Sequence, residues 1–194
     1  MIRFTLLLAA AVALAQDSGY RQPPAPVKDA LSALPTPTAS VSPQNDCVLF
    51  MQAVRYPSIT AVAQPIARLA GLRIDINTNG MHLTPTYISY VLMRLADHSE
   101  VPLSIPAHAM LGRPVWSPDG KQFAFTNTTT TGIDLWLASA TTGKASQVSG
   151  IHLNGVLRNP VEWLGDNRTL IVRTTPAGRG TPPSEAAIPQ GPHT

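Results

Sequence analysis

Cysteine is nearly absent from this 194-residue sequence. Its one residue, Cys47, can form no intrachain disulfide, and it excludes any zinc site built on several thiolates. Flanked by Val48, Leu49 and Phe50, it reads as a small buried apolar residue and not as a nucleophile. Charge is sparse too: 13% of residues are Asp, Glu, Lys or Arg, and no Lys/Arg run occurs, so the net charge of +3 predicts no nucleic-acid surface. Catalytic signatures are missing. There is no G-x-S-x-G nucleophile elbow and no H-E-x-x-H pair. The histidines at 82, 98, 108, 152 and 193 are scattered without metal-ligand spacing. His152 follows Ser149 closely, but a triad also needs a positioned carboxylate and an oxyanion hole. "GRGTPP" lacks the Lys-Ser/Thr of a phosphate loop and follows a strand without opening a helix. No catalytic residue, cofactor or metal is therefore expected within the chain, and Arg73, Arg113 and Arg179 read as surface or loop side chains.

Long helices are disfavoured in turn, because nineteen prolines and thirteen glycines punctuate the chain. What remains is organised by position. Arg3, the apolar run Phe4–Leu14 and the small residues Ala13-Leu14-Ala15 follow the order of a secretory signal, with an apolar stretch too short to span a bilayer. Residues 1–15 are assigned as a signal peptide. The mature chain is expected to be exported, periplasmic or extracellular, with no membrane attachment after cleavage. Residues 16–38 form a Pro-rich lead-in with a short helical turn near Val27–Leu34, and 174–194 a Pro/Gly-rich loop.

Between them, residues 39–173 carry period-two alternation in short runs at 48–50, 87–94, 123–125, 133–138, 145–148 and 170–172, bounded by Gly, Pro, Asn and Asp. That pattern predicts an all-β fold. A repeat sharpens it. "VWSPDGKQFAFT" (115–126) aligns with "EWLGDNRTLIVR" (162–173), pairing Trp116 with Trp163, Asp119 with Asp166 and Gly120 with Asn167. A weaker copy, "VSPQNDCVLFM" (41–51), matches Ser42-Pro43 to Ser117-Pro118. The spacing of the two tryptophans fits the ~40–50 residues of one four-stranded propeller blade. The longer first spacing points to an insertion over Thr60–Met81. Ser117, Pro118, Asp119 and Gly120 have the chemistry of a turn: local hydrogen bonds from Ser and Asp, a preset φ from Pro, and positive φ at Gly, for which Asn is the next best residue. The copies keep the turn while losing Ser or Lys, so the repeat is structural. Trp116 and Trp136 are expected to fill the packing between neighbouring blades. The expectation is a partial β-propeller of about three to four four-stranded antiparallel blades.

The Trp-Ser-Pro-Asp-Gly-Lys run followed by an apolar strand and "LW" resembles the repeat of TolB-like proteins and of the propellers of prolyl oligopeptidase family serine peptidases. The flanks at 20–50, 65–80 and 173–192 resemble the N-terminal region of the glutamyl endopeptidase-like branch of that family. The resemblance implies a substrate-gating propeller that acts on peptides through a full-length enzyme. In that enzyme an α/β-hydrolase domain supplies Ser, Asp and His. That domain is missing from this chain, which on this reading is not catalytic by itself. The alternatives are a TolB-like periplasmic propeller that binds a partner, or an inert fragment.

Overall fold

The computed structural model describes residues 22–181. The expected signal peptide and the end of the Pro/Gly-rich tail lie outside the described residues. Helix α1 (Ala25–Ser32) opens at Pro24, whose carbonyl accepts the amides of Val27 and Lys28, and belongs to an N-terminal unit ending at Ala33. It buries no residue.

From Leu34 onward the chain is built from antiparallel sheet. Strands β1 (Thr38–Val41) and β2 (Cys47–Ala53) begin the first sheet. An insertion follows, made of the single turn α2 (Ile59–Val62) and the strands β3 (Ile66–Leu69), β4 (Leu72–Asp75) and β5 (Gly80–Met81). The first sheet then resumes with β6 (Tyr87–Arg94) and β7 (Glu100–Val101), giving the order β1-β2-β6-β7. The second sheet is an uninterrupted meander of β8 (Val115–Trp116), β9 (Gln122–Thr128), β10 (Ile133–Ser139) and β11 (Ala145–Val148). Strands β12 (Val161–Trp163) and β13 (Leu170–Val172) open a third.

Each complete sheet has the four-stranded antiparallel form of a propeller blade. The described residues complete two such blades and begin a third, because the insertion and the long connection before β8 take up chain length that a plain repeat would give to strands. The insertion forms its own three-stranded sheet, β3-β4-β5, and leaves the register of the first blade intact from Cys47↔Arg94 to Gln52↔Ser89, with one irregularity at Gln52/Ala53.

Period-two alternation places two apolar faces on the second sheet, and both are used. Leu49, Met51, Tyr90 and Leu92 of the first sheet pack with Phe123 and Phe125 of the second in one buried cluster. Trp116 and Trp136 lie against that cluster. The intervening residues of the second sheet, Ala124, Ile133 and Leu135, join Leu153 and Val161 in a second cluster against the third sheet, with Trp163 and Leu170 beside it. Fully burying a side chain of this size stabilises by about 1.5–3 kcal/mol, so these two seams hold the sheets face to face. Leu111, fully buried, staples the first two sheets by pairing with Tyr87 on one side and Asn127 on the other.

Candidate functional site

The repeated turn has one backbone geometry in all three copies. In the middle copy the Ser117 amide donates to the Gln122 carbonyl (2.9 Å) and the Gly120 amide to the Ser117 carbonyl (2.9 Å). The same pair of bonds links Ser42 with Cys47 and Asn45 with Ser42, and again Leu164 with Thr169 and Asn167 with Leu164. The equivalent positions Asn45, Gly120 and Asn167 all have positive φ, at 56°, 69° and 59°. Only Gly and Asn occur there, the residues that enter the left-handed region at least cost.

The polar side chains of the turn are occupied by the turn itself. The Ser117 hydroxyl donates to Asp119 Oδ1 (2.7 Å) and accepts the Gln122 amide (3.3 Å). Ser42 donates in the same way to Asp46 Oδ1 (2.5 Å). Both serines are buried, and neither meets a histidine that could serve as a base. The hydroxyl of Ser117 lowers the pKa of Asp119 below the usual carboxylate value, and that of Ser42 lowers Asp46. In the third copy Leu164 replaces the serine. Thr169 supplies the hydroxyl instead, and with the amides of Arg168 and Thr169 it brings Asp166 down to about 2. These are carboxylates kept ionised by local donors, the reverse of a general acid. Burial pushes the Cys47 thiol up, which suits an inert packing role.

The tryptophans join one blade to the next. Trp116 Nε1 donates to the Ser40 hydroxyl of the first blade (3.0 Å), and Trp163 Nε1 donates to the Val115 carbonyl of the second (2.9 Å). Ser40 and Val115 occupy equivalent positions two residues ahead of Ser42 and Ser117, so the two indoles make the same reach backward. The turns also stack. Asn167 Oδ1 accepts the Asp119 amide (2.8 Å) and its carbonyl accepts Gln122 Nε2 (2.9 Å), while Gly120 lies against Pro43 and Gln44. Pro118 is exposed at the tip.

A cleft of about 530 Å³ lies elsewhere. It is framed by Thr78 and Asn79 of the insertion, by Thr131 and Gly132 between β9 and β10, by loop 150–153, and by segment 174–177. The insertion is clamped to the blade at this point. The Gly155 amide donates to the Asn79 carbonyl (2.9 Å), and Gly80 pairs with Gly155. An added Cβ at Gly80 or Gly155 would lie 3.0 or 2.9 Å from Ile133 Cδ1, so a larger residue at either position would require the end of that side chain to shift. His152 is exposed on the cleft wall, and no hydrogen bond joins it to Ser149. Among the described residues no group of three or more His, Cys, Asp or Glu is placed to hold a metal ion. Sequence reading missed this cleft. Its one local trace is the pair of Asn-Gly dipeptides at 79–80 and 154–155, a tight-turn signal that the fold brings together.

Across nearly its whole length the chain is similar to known peptidases. It is 33% identical over 195 residues to a protein named "Probable glutamyl endopeptidase, chloroplastic" from Arabidopsis thaliana, covering 93% of this chain and 20% of that protein. It is 32% identical over 188 residues to the protein of the same name from Oryza sativa subsp. japonica, covering 90% and 20%. No protein-family model matches. Among solved structures, an acylaminoacyl peptidase from Pyrococcus horikoshii covers 74% of the chain at 20% identity and a TM-score of 0.41. A putative dipeptidyl aminopeptidase IV from Bacteroides ovatus covers 70% at 14% identity and 0.42.

In class, then, the chain is an antiparallel all-β array of blade-like sheets. Its sequence relatives are glutamyl endopeptidase-like peptidases, and it spans about a fifth of their length.

Proposed function

We propose that this chain is the propeller portion of an exported serine peptidase. It gates peptide access to a separate α/β-hydrolase domain and supplies no catalytic residue of its own. The observation that carries this reading is the 33% identity running through 93% of the chain to a protein named as a glutamyl endopeptidase. The geometry supports a structural role for the repeat: its Ser and Asp side chains are engaged in turns, and the Trp116 and Trp163 indoles in seams between sheets. Export is supported by the Arg3, Phe4–Leu14 and Ala13–Ala15 order at the start of the sequence.

The test has two arms. Purified chain is incubated with fluorogenic glutamyl and prolyl peptides, and no turnover is expected. Hydrolysis that a serine-directed phosphonate blocks overturns the reading by revealing a nucleophile within the chain. The gene beyond the Thr194 codon is then read. Further Trp-Ser-Pro-Asp-Gly repeats followed by a G-x-S-x-G elbow support the peptidase, and repeats alone identify a TolB-like binding module.

A further inference from the structure

We propose that the cleft beside the insertion is a subsite for a short, uncharged stretch of extended peptide, and that residues 176–181 form the strap that closes it. The proposal rests on the peptide-gating reading above and adds to it a location and a ligand chemistry.

The lining decides the chemistry. The hydroxyls of Thr131 and Thr174 and the carboxamide of Asn79 can each donate or accept, which matches the alternating N–H and C=O groups of a peptide backbone. Ile151 and Leu153 provide apolar wall for a small side chain. No Asp, Glu, Lys or Arg lines the cleft, and the Arg179 guanidinium stands outside that lining, at the rim, engaged with Asn79 Oδ1, so a charged group buried within the cleft would lose water without gaining a counter-ion there. No aromatic face lines it either, apart from the His152 imidazole, which leaves a sugar ring without a stacking platform. Its volume falls within the roughly 300–1,000 Å³ of small-ligand clefts.

Three walls are fixed and one can move. The clamp of Gly80, Gly155 and Ile133 immobilises the insertion side. The Thr175 amide donates to the His152 carbonyl (3.1 Å) and the Asn154 amide to the Arg173 carbonyl (2.9 Å), which pins the chain as far as residue 175. Beyond it the path changes character. Gly178 and Gly180 both have positive φ and open space around them, and Arg179 between them donates to Asn79 Oδ1 (2.5 Å). This one side-chain bond ties the strap to the opposite wall and holds the guanidinium at the rim. The Thr175 hydroxyl lies buried at the base of the strap with no hydrogen-bond partner.

The test uses the full chain and a neutral tetrapeptide, N-acetylated and C-amidated alanine with one diazirine residue, cross-linked by light and mapped by mass spectrometry. Cross-links are expected in the tryptic peptides carrying 150–153 and 174–177, and N-acetyl-tetra-alanine amide should compete them away. The same competitor with a central Glu or Lys should compete at least tenfold less well. Thr131→Trp, at an exposed position on the rim, should lower the yield at least fivefold. Arg179→Met should weaken competition about threefold or more. Cross-links outside the cleft, equal competition by the charged peptides, competition by maltotriose instead, or a Thr131→Trp yield equal to that of the unaltered chain each overturns the proposal. Peptidase turnover is not read in this experiment, so its failure leaves the gating reading to its own test.

Discussion

Trp116 and Trp163 perform the same task with different partners, and single substitutions separate them. Trp116 donates to a side chain, the Ser40 hydroxyl, whereas Trp163 donates to a backbone carbonyl that no substitution removes. Ser40→Ala should orphan the first indole at a cost of about 1–2 kcal/mol. Trp163→Phe keeps most of the ring and should lose about 1 kcal/mol from the missing hydrogen bond. Equilibrium urea unfolding of the two variants checks both values. Acid sensitivity also belongs to single residues. Asp166 has its folded pKa lowered from 3.8 to about 2, so the stability it adds is present above pH 4 and lost as pH falls through 2. The unfolding midpoint should therefore drop across that window, and Asp166→Asn should flatten its share of the fall.

For an element, backbone conformation outranks side-chain identity. The turn position held by Asn45, Gly120 and Asn167 lies in the left-handed region in every copy, and a Cβ at Gly120 would meet its nearest neighbours at 3.4–3.6 Å, ordinary contact distances. Gly120→Asn should thus leave the melting temperature nearly unchanged, while Gly120→Val, β-branched at positive φ, should cost about 1–3 kcal/mol. Differential scanning calorimetry distinguishes the two. The legible part of the molecule was of this local kind. Strands such as β9 and β10 announce themselves by period-two alternation, and the turn at 117–120 by residue chemistry, since both depend on neighbours in sequence. The insertion was visible only as an interruption. Its strands are only four residues long, Ile66–Leu69 without alternation and Leu72–Asp75 with too short an alternation to stand out, and they take their place from pairing with each other. The cleft was invisible, because Asn79, Thr131, His152 and Thr175 converge only when two sheets and the insertion are assembled.

For the whole molecule, the blade faces are not equally covered. Leu49, Met51 and Leu92 of the first sheet turn toward the second, so Val41, Val48 and Met93 share the opposite face with Phe50 and Val91. There Val41 is 50% and Val91 37% exposed. At the far side Ile171 of β13 is exposed as well. Residues 16–194 produced alone should associate through these surfaces. Sedimentation velocity is expected to show concentration-dependent oligomers, and Val41→Lys with Val91→Lys should shift them toward monomer. A compact monomer at high concentration in the unaltered protein contradicts this.

The indole bonds have a direction. Trp116 reaches back to the first sheet and Trp163 back to the second. At the equivalent place in the first sheet stands Val41, which has no donor to offer. The array is therefore a polar filament in miniature, with a blunt leading end. Each unit finds its anchor in a unit synthesised earlier and waits for nothing that follows. Such a chain can fold vectorially as it leaves the ribosome, each new blade finding its indole anchor on the blade before it.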